Sequence, residues 1–196
     1  MKIPIIFNTS KTFSETDNLR KRLNNNHPFI IENGSALYIP KDYFTLPATC
    51  SVPRFDAGEY WVYKFGLNRS EILSRLTTFS TKHQYKYKGF NSTTAQELAM
   101  QAGLSLTQAA AAKERQFSEP IQWLDKAEKL HEFSKHLKLF GLNSIKGGRY
   151  VQVIGQTNKA TPLLFLRDLY RSQNQQEPIT IALGDSPNDK DMLACA

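Results

Sequence analysis

The sequence predicts an α/β protein built around a parallel sheet, and three observations carry that prediction. Short runs of buried-strand character, Ile3-Pro-Ile-Ile-Phe7, Phe29-Ile-Ile31 and Ile179-Thr-Ile-Ala-Leu183, each lead into polar, turn-forming residues. Helical periodicity and capping signals fill the intervals between them. After the last run, Asp185 and Asp189 follow where a parallel sheet opens its ligand crevice.

The elements follow in chain order. The first strand runs into a hydroxyl pair and a lysine, Thr9-Ser-Lys11, and Thr12 with Glu15 forms a capping-box pair that starts a helix carrying Leu19 and Leu23. Pro28-Phe-Ile-Ile31 is the next strand and ends at the Asn33-Gly34 turn. After Ala36-Leu-Tyr-Ile-Pro40 a Pro-rich, aromatic-rich stretch to Pro53 reads as a connecting loop. Helix signals run from Ser70 to Phe79, and a Tyr/Lys strand follows at His83 to Phe90. Ser92 to Glu97 opens a short helix closed by Gly103, and Ser105 with Gln108 is a second capping box. Glu119 to Leu124 is a strand, Asp125 and Glu128 start a helix with Leu130, Phe133, Leu137 and Phe140 on one stripe, and Arg149 to Ile154 is a return strand. Residues 1–37 and 155–196 therefore read as a discontinuous core, and residues 38–154 as an α/β insertion.

Two segments carry chemistry. In Gly184-Asp-Ser-Pro-Asn-Asp189 the glycine lets the backbone turn, and hard carboxylate oxygens at a strand's end suit Mg²⁺, which takes one or two protein carboxylates beside water and substrate phosphate. The structural alternative is a helix start capped by Asp185 and Ser186. In Gly155-Gln-Thr-Asn-Lys-Ala160 the lysine falls in the first turn of a helix bearing Leu163, Leu166 and Tyr170, where it opposes the helix dipole.

Composition agrees with a globular protein: 196 residues, 40% hydrophobic and 22% charged. Cys50 and Cys195 lack metal-site spacing and read as reduced thiols, and neither a membrane-length apolar run nor a signal peptide is evident, which points to the cytoplasm. The formal charge of +7 raises nucleic acid as a partner, with Tyr85-Lys-Tyr-Lys88 as the local hint. On a strand, however, that alternation puts both tyrosines against a core and both lysines in water, and no nucleic-acid module accompanies it.

Phe7-Asn-Thr-Ser-Lys-Thr12, Ile30-Ile-Glu-Asn-Gly34, Ala112-Lys-Glu-Arg-Gln-Phe-Ser-Glu-Pro-Ile121, Gly147-Gly-Arg-Tyr-Val-Gln-Val-Ile-Gly155 and Gly184-Asp-Ser-Pro-Asn-Asp189 together resemble the mannosyl-3-phosphoglycerate phosphatase family of the haloacid dehalogenase (HAD) superfamily. The resemblance implies a HAD-like Rossmannoid core, with its first and last strands missing from this chain, and an inserted α/β cap. It implies catalytic roles for Thr9, as the hydroxyl on the transferring phosphoryl group, and for Lys159, as the cation that neutralises it. Asp185 and Asp189 would hold Mg²⁺. Ser10, Lys11, Asn33, Gly34, Gly148, Arg149 and Asn188 would contact a phosphorylated, carboxylated sugar, with Arg149 gripping the carboxylate. The residues alone leave alternatives: Ser10 in place of Thr9, a plain turn at Asn33-Gly34, and a local salt bridge for Arg149.

One departure bears on activity. The family's nucleophile stands in Asp-x-Asp-Gly-Thr, and here Asp-x-Asp occurs only as Asp189-Lys190-Asp191 in the final turn. The expectations are accordingly two: an inactive fragment of a Mg²⁺-dependent sugar-phosphoglycerate phosphatase, with Met1 an internal methionine, or a non-catalytic protein that binds an anionic ligand.

Overall fold

The computed structural model describes residues 3–45 and 51–196, so Met1, Cys50 and the middle of the stretch from Pro40 to Pro53 lie outside it. In chain order the elements are β1 (Phe7–Asn8), α1 (Phe13–Arg22), β2 (Phe29–Ile31), β3 (Ala36–Pro40), β4 (Arg54–Ala57), β5 (Tyr60–Lys64), α2 (Arg69–Lys82), β6 (Tyr87–Gly89), α3 (Ala95–Ala102), α4 (Leu106–Lys113), β7 (Ser118–Trp123), α5 (Lys129–Leu139), β8 (Asn143–Gly147), β9 (Tyr150–Ile154), α6 (Ala160–Asn174) and α7 (Lys190–Ala194). They fall into two compact units, Met1–Lys11 with Thr16–Phe65 and Thr157–Ala196, and Thr12–Glu15 with Gly66–Gln156.

The first unit is a five-stranded sheet in the order β1-β2-β3-β5-β4. β1 runs parallel to β2, and the remaining pairs are antiparallel. β2 and β3 are its centre: Phe29, Ile30, Ile31, Ala36, Leu37 and Ile39 are all buried, as strands covered on both faces require. Ile30, Leu37, Ile39 and Tyr63 pack against Leu166 of α6, the core this unit needs to hold its strand ends in place.

Four features differ from the sequence reading. Ile179 to Leu183 forms no ladder; a strand needs a hydrogen-bonded neighbour, none of the described segments supplies one, and Ile179, Ile181 and Leu183 are 95%, 84% and 89% exposed. At the other run only Phe7–Asn8 pairs, leaving Ile3 and Ile5 exposed. The first unit also extends to Phe65, past the expected boundary at residue 38, because β5 pairs with β3 from Ala36↔Lys64 to Pro40↔Tyr60. In α1 the buried face is polar. Leu19 and Leu23 face solvent, while Asp17 and Arg20 are buried, the guanidinium lying 4.0 Å from the Phe29 ring centroid and donating to the His27 carbonyl at 2.7 Å.

The second unit is an antiparallel sheet, β6-β7-β9-β8. Ile72, Leu76 and Phe79 of α2 and Phe133 and Leu137 of α5 pack with Ile121, Val151 and Val153 of the sheet. Tyr85 and Tyr87 lean on this core, as the alternation predicts. Phe90, Leu98, Ala109 and Ala112 form a smaller cluster under α3 and α4. Helix starts follow the sequence closely. Thr94 and Ser105 accept the backbone N–H of Glu97 and Gln108, whose side chains reach back to the cap N–H, and Gly103 ends α3 at φ +69°. No helix among the described residues is long and apolar enough to cross a membrane.

Candidate active site

The loops after β1, β2 and the Ile179–Leu183 run, with the start of α6, meet in the first unit. At their centre Lys159 Nζ donates to Asp189 Oδ1 at 2.5 Å, and each side chain is only 7% exposed. Asp189 Oδ2 accepts the backbone N–H of Asp185 at 3.2 Å and of Ser186 at 3.1 Å. Both carboxylate oxygens are therefore engaged. Burial pushes the Asp189 carboxyl up, but the Lys159 ammonium and the two N–H groups outweigh it and hold the group below the usual carboxylate value. Gly184 makes the fold-back possible, since a Cβ there would lie 2.5 Å from Asp189 Cβ. Asn158 anchors the lysine: its Oδ1 accepts the N–H of Ala160 and of Thr161, and its Nδ2 donates to Asp191 Oδ2 at 2.9 Å.

The other wall is laced through the backbone. Thr9 N–H donates to the Ile30 carbonyl, Asn33 N–H to the Thr9 carbonyl at 2.9 Å, and Glu32 N–H to the Lys11 carbonyl at 3.0 Å. Glu32, Asn33 and Gly34 are successive left-handed residues, with φ of 47°, 60° and 88°. For the two that carry a Cβ this conformation costs about 1–2 kcal/mol each, strain of the kind that gathers at ligand sites. Gly34 cannot be replaced without movement, because a Cβ would come 2.0 Å from the Asn158 carbonyl oxygen. Asn33 is fully buried; its Oδ1 accepts Asn188 Nδ2 at 2.9 Å, and its own Nδ2 has no partner among the described residues. Asn8 Nδ2 donates to the Lys159 carbonyl at 2.9 Å, and its Oδ1 is likewise buried without a partner among the described residues. A donor and an acceptor left unmade at such depth each cost roughly 1–3 kcal/mol unless a ligand or water completes them.

The first unit thus brings together Thr9, Ser10, Lys11, Asn33, Gly34, Lys159, Asp185, Asn188 and Asp189. Gly148 and Arg149 stand in the second unit, in the turn between β8 and β9, where the Arg149 guanidinium donates to the Gln101 carbonyl. Asn8, Glu32 and Asn158 escaped the sequence reading. An asparagine two residues before a helix is a capping signal that points to Asn158; nothing in the sequence marks Asn8 or the strained Glu32.

For a hard divalent cation the donors differ in availability. Asp185 is exposed and, among the described residues, accepts only the Ser186 hydroxyl at 3.2 Å, so its carboxylate fits Mg²⁺ with water and substrate oxygens completing the shell. Asp189 already spends both oxygens on Lys159 and on the Asp185 and Ser186 N–H groups. Among the described residues no group of three or more His, Cys, Asp or Glu side chains is arranged to hold a metal by itself.

The sequence profile of haloacid dehalogenase-like hydrolases matches residues 1–196. The glucosyl-3-phosphoglycerate/mannosyl-3-phosphoglycerate phosphatase of Methanococcoides burtonii is 35% identical over 192 residues, covering 98% of this chain and 69% of that protein. The mannosyl-3-phosphoglycerate phosphatase of Pyrococcus furiosus is 36% identical over 189 residues, covering 96% and 73% respectively. A haloacid dehalogenase-like hydrolase from B. subtilis superposes with a TM-score of 0.58 at 14% identity over 99% of this chain and 75% of its own, which bears on the fold alone. This chain belongs to the haloacid dehalogenase-like hydrolase family.

Proposed function

We propose that this chain is the phosphoryl-binding part of a Mg²⁺-assisted phosphatase acting on a sugar-phosphoglycerate, the substrate class in the names of its relatives from M. burtonii and P. furiosus. The observation that carries the reading is the buried Lys159–Asp189 pair. A lysine held rigid by a carboxylate that is itself held by two N–H groups is a preorganised point charge, the kind of group that stabilises a transferring phosphoryl group.

The other residues take roles around it. The Thr9 hydroxyl donates to a phosphoryl oxygen, with Ser10 and Lys11 beside it, and Asn33 Nδ2 offers its unmade hydrogen bond to the substrate while Asn188 fixes the amide. Gly34 keeps this turn tight. Asp185 is the metal ligand, and Mg²⁺, when bound, spreads the negative charge of the phosphoryl oxygens. Gly148 and Arg149 are assigned to the glycerate carboxylate, which a guanidinium grips with two parallel hydrogen bonds. The attacking aspartate of such phosphatases stands in Asp-x-Asp-Gly-Thr, which this sequence does not contain. The expected behaviour is therefore binding without turnover.

Calorimetric titration of the chain with mannosyl-3-phosphoglycerate, with and without Mg²⁺, tests this together with an assay for released phosphate. Mg²⁺-dependent binding that Lys159→Ala abolishes, with no phosphate released, is the expected result. Binding that ignores both Mg²⁺ and Lys159 overturns the reading.

A further inference from the structure

Asn8, the last residue of β1, stands directly before Thr9 and reaches across the first unit to the residue that carries the buried ammonium. Its Nδ2 donates to the Lys159 carbonyl at 2.9 Å, a bond between residues 151 positions apart. Chemistry fixes which way the amide faces: a backbone carbonyl only accepts, so the nitrogen must point at it.

Helix α6 can start without this bond. Lys159 occupies its cap position, with φ −65° and ψ −22°, and the carbonyl of a cap residue already accepts the first N–H of its own helix. The free N–H groups of Ala160 and Thr161 are met by Asn158 Oδ1. Asn8 is therefore a second donor on the Lys159 carbonyl, and what it adds is position. The preceding peptide is confined as well, since a Cβ on Gly34 would come 2.0 Å from the Asn158 carbonyl oxygen and 2.9 Å from Lys159 N. Lysine carries its charge on a flexible four-carbon stem, so the head is placed only as well as the backbone beneath it. Where such a head must meet a reacting group, a misplacement of about 1 Å costs on the order of a hundredfold. On the β1 side, Thr9 Oγ1 accepts the Lys11 N–H at 3.2 Å, which leaves the hydroxyl hydrogen to donate elsewhere.

We infer that Asn8 is a positioning residue: through the Lys159 carbonyl it fixes the lysine backbone against the strand that carries Thr9, so that hydroxyl and ammonium meet one phosphoryl group at a set separation. The inference deepens the phosphoryl-binding reading and rests on it only for the ligand.

Two measurements on the full chain test it. Nitrogen-15 relaxation of the Lys159 ammonium reports its order without any ligand, and calorimetry with inorganic phosphate and Mg²⁺ reports binding. In Asn8→Leu, similar in volume but without a donor, the ammonium is expected to lose order and phosphate affinity to fall about tenfold, the worth of one hydrogen bond. Asn8→Ser, too short to reach the carbonyl, should do the same and remains decisive if the leucine variant does not fold. A merely structural tie would lower stability and leave the ammonium ordered. Unchanged ammonium order, or phosphate affinity equal to the parent's, overturns the inference. A parent that binds no phosphate, with ammonium order still lost in the variants, sinks the phosphoryl-binding reading and leaves the positioning role standing.

Discussion

The ammonium of Lys159 and the carboxylate of Asp189 form a 2.5 Å contact that is almost wholly shielded from water, each side chain being only 7% exposed. Removing one partner strands the other. Lys159→Ala is expected to destabilise the first unit by about 3–5 kcal/mol, whereas Lys159→Met with Asp189→Leu, which removes both charges, should cost much less. Denaturant unfolding of the single and double variants checks this; equal losses would mean that the pair is held for reasons other than charge.

Acidification tests the same pair from the proton side. Because the fold holds Asp189 below its ordinary value, the unfolded chain binds its proton first as pH falls. The stability it contributes is complete above the ordinary carboxylate pKa of about 3.9 and is lost as pH drops from there through the depressed folded value. Asp189→Asn should remove that slope. His27 adds a separate one: burial, then the Arg20 charge, lower its pKa, and its Nδ1 lies 2.7 Å from the Tyr43 hydroxyl. Its contribution is present above about pH 6.5 and fades as pH falls through the lowered folded value, so His27→Gln should flatten unfolding curves there and leave the carboxylate slope intact.

The capping boxes, the helix stripes and the Tyr85/Tyr87 face were legible because each depends on residues within one or two turns of chain. The site was legible by residue and not by partnership. Asp189 read as a metal ligand because a carboxylate after a strand is chemically suited to one; that Lys159, 30 positions earlier, would occupy its Oδ1 depends on how two loops meet. Ile179 to Leu183 read as a buried strand because apolar alternation reports what a segment can bury, whereas a ladder depends on what lies beside it. The polar burial of α1 was hidden for the converse reason. Periodicity points to Leu19, yet Arg20 stacks on Phe29 and donates to His27, contacts no local pattern encodes.

Gly34 joins the strained turn to the start of α6. Gly34→Ala combines φ +88° with a 2.0 Å approach to the Asn158 carbonyl, which only backbone movement can relieve. The expected loss exceeds the roughly 1 kcal/mol of an ordinary glycine-to-alanine change in the left-handed region. Gly58, at φ +68° with nothing within 4 Å of its Cβ position, is the control: Gly58→Ala should show the conformational cost alone.

Phe133 is fully buried among Phe79, Tyr85, Tyr87 and Trp123. Phe133→Ala should cost about 3–5 kcal/mol, and hydrogen exchange should show the loss in α2, α5 and β7. Unchanged protection in those elements would mean that this core relaxes into the cavity.

Asp185 and Asp189 separate metal binding from structure. Asp185 is exposed and, among the described residues, spends its carboxylate only on the neighbouring Ser186 hydroxyl, so Asp185→Asn should leave the unfolding free energy within about 0.5 kcal/mol of the parent while abolishing Mg²⁺ binding in calorimetry. Asp189→Asn keeps an oxygen for Lys159 or for the Asp185 and Ser186 N–H groups but loses the charge that balances the ammonium. It should lower stability clearly and weaken Mg²⁺ binding less than Asp185→Asn does. The opposite ranking, Mg²⁺ lost with Asp189 and retained without Asp185, would move the ion onto Asp189 and require Lys159 to swing away when the metal binds.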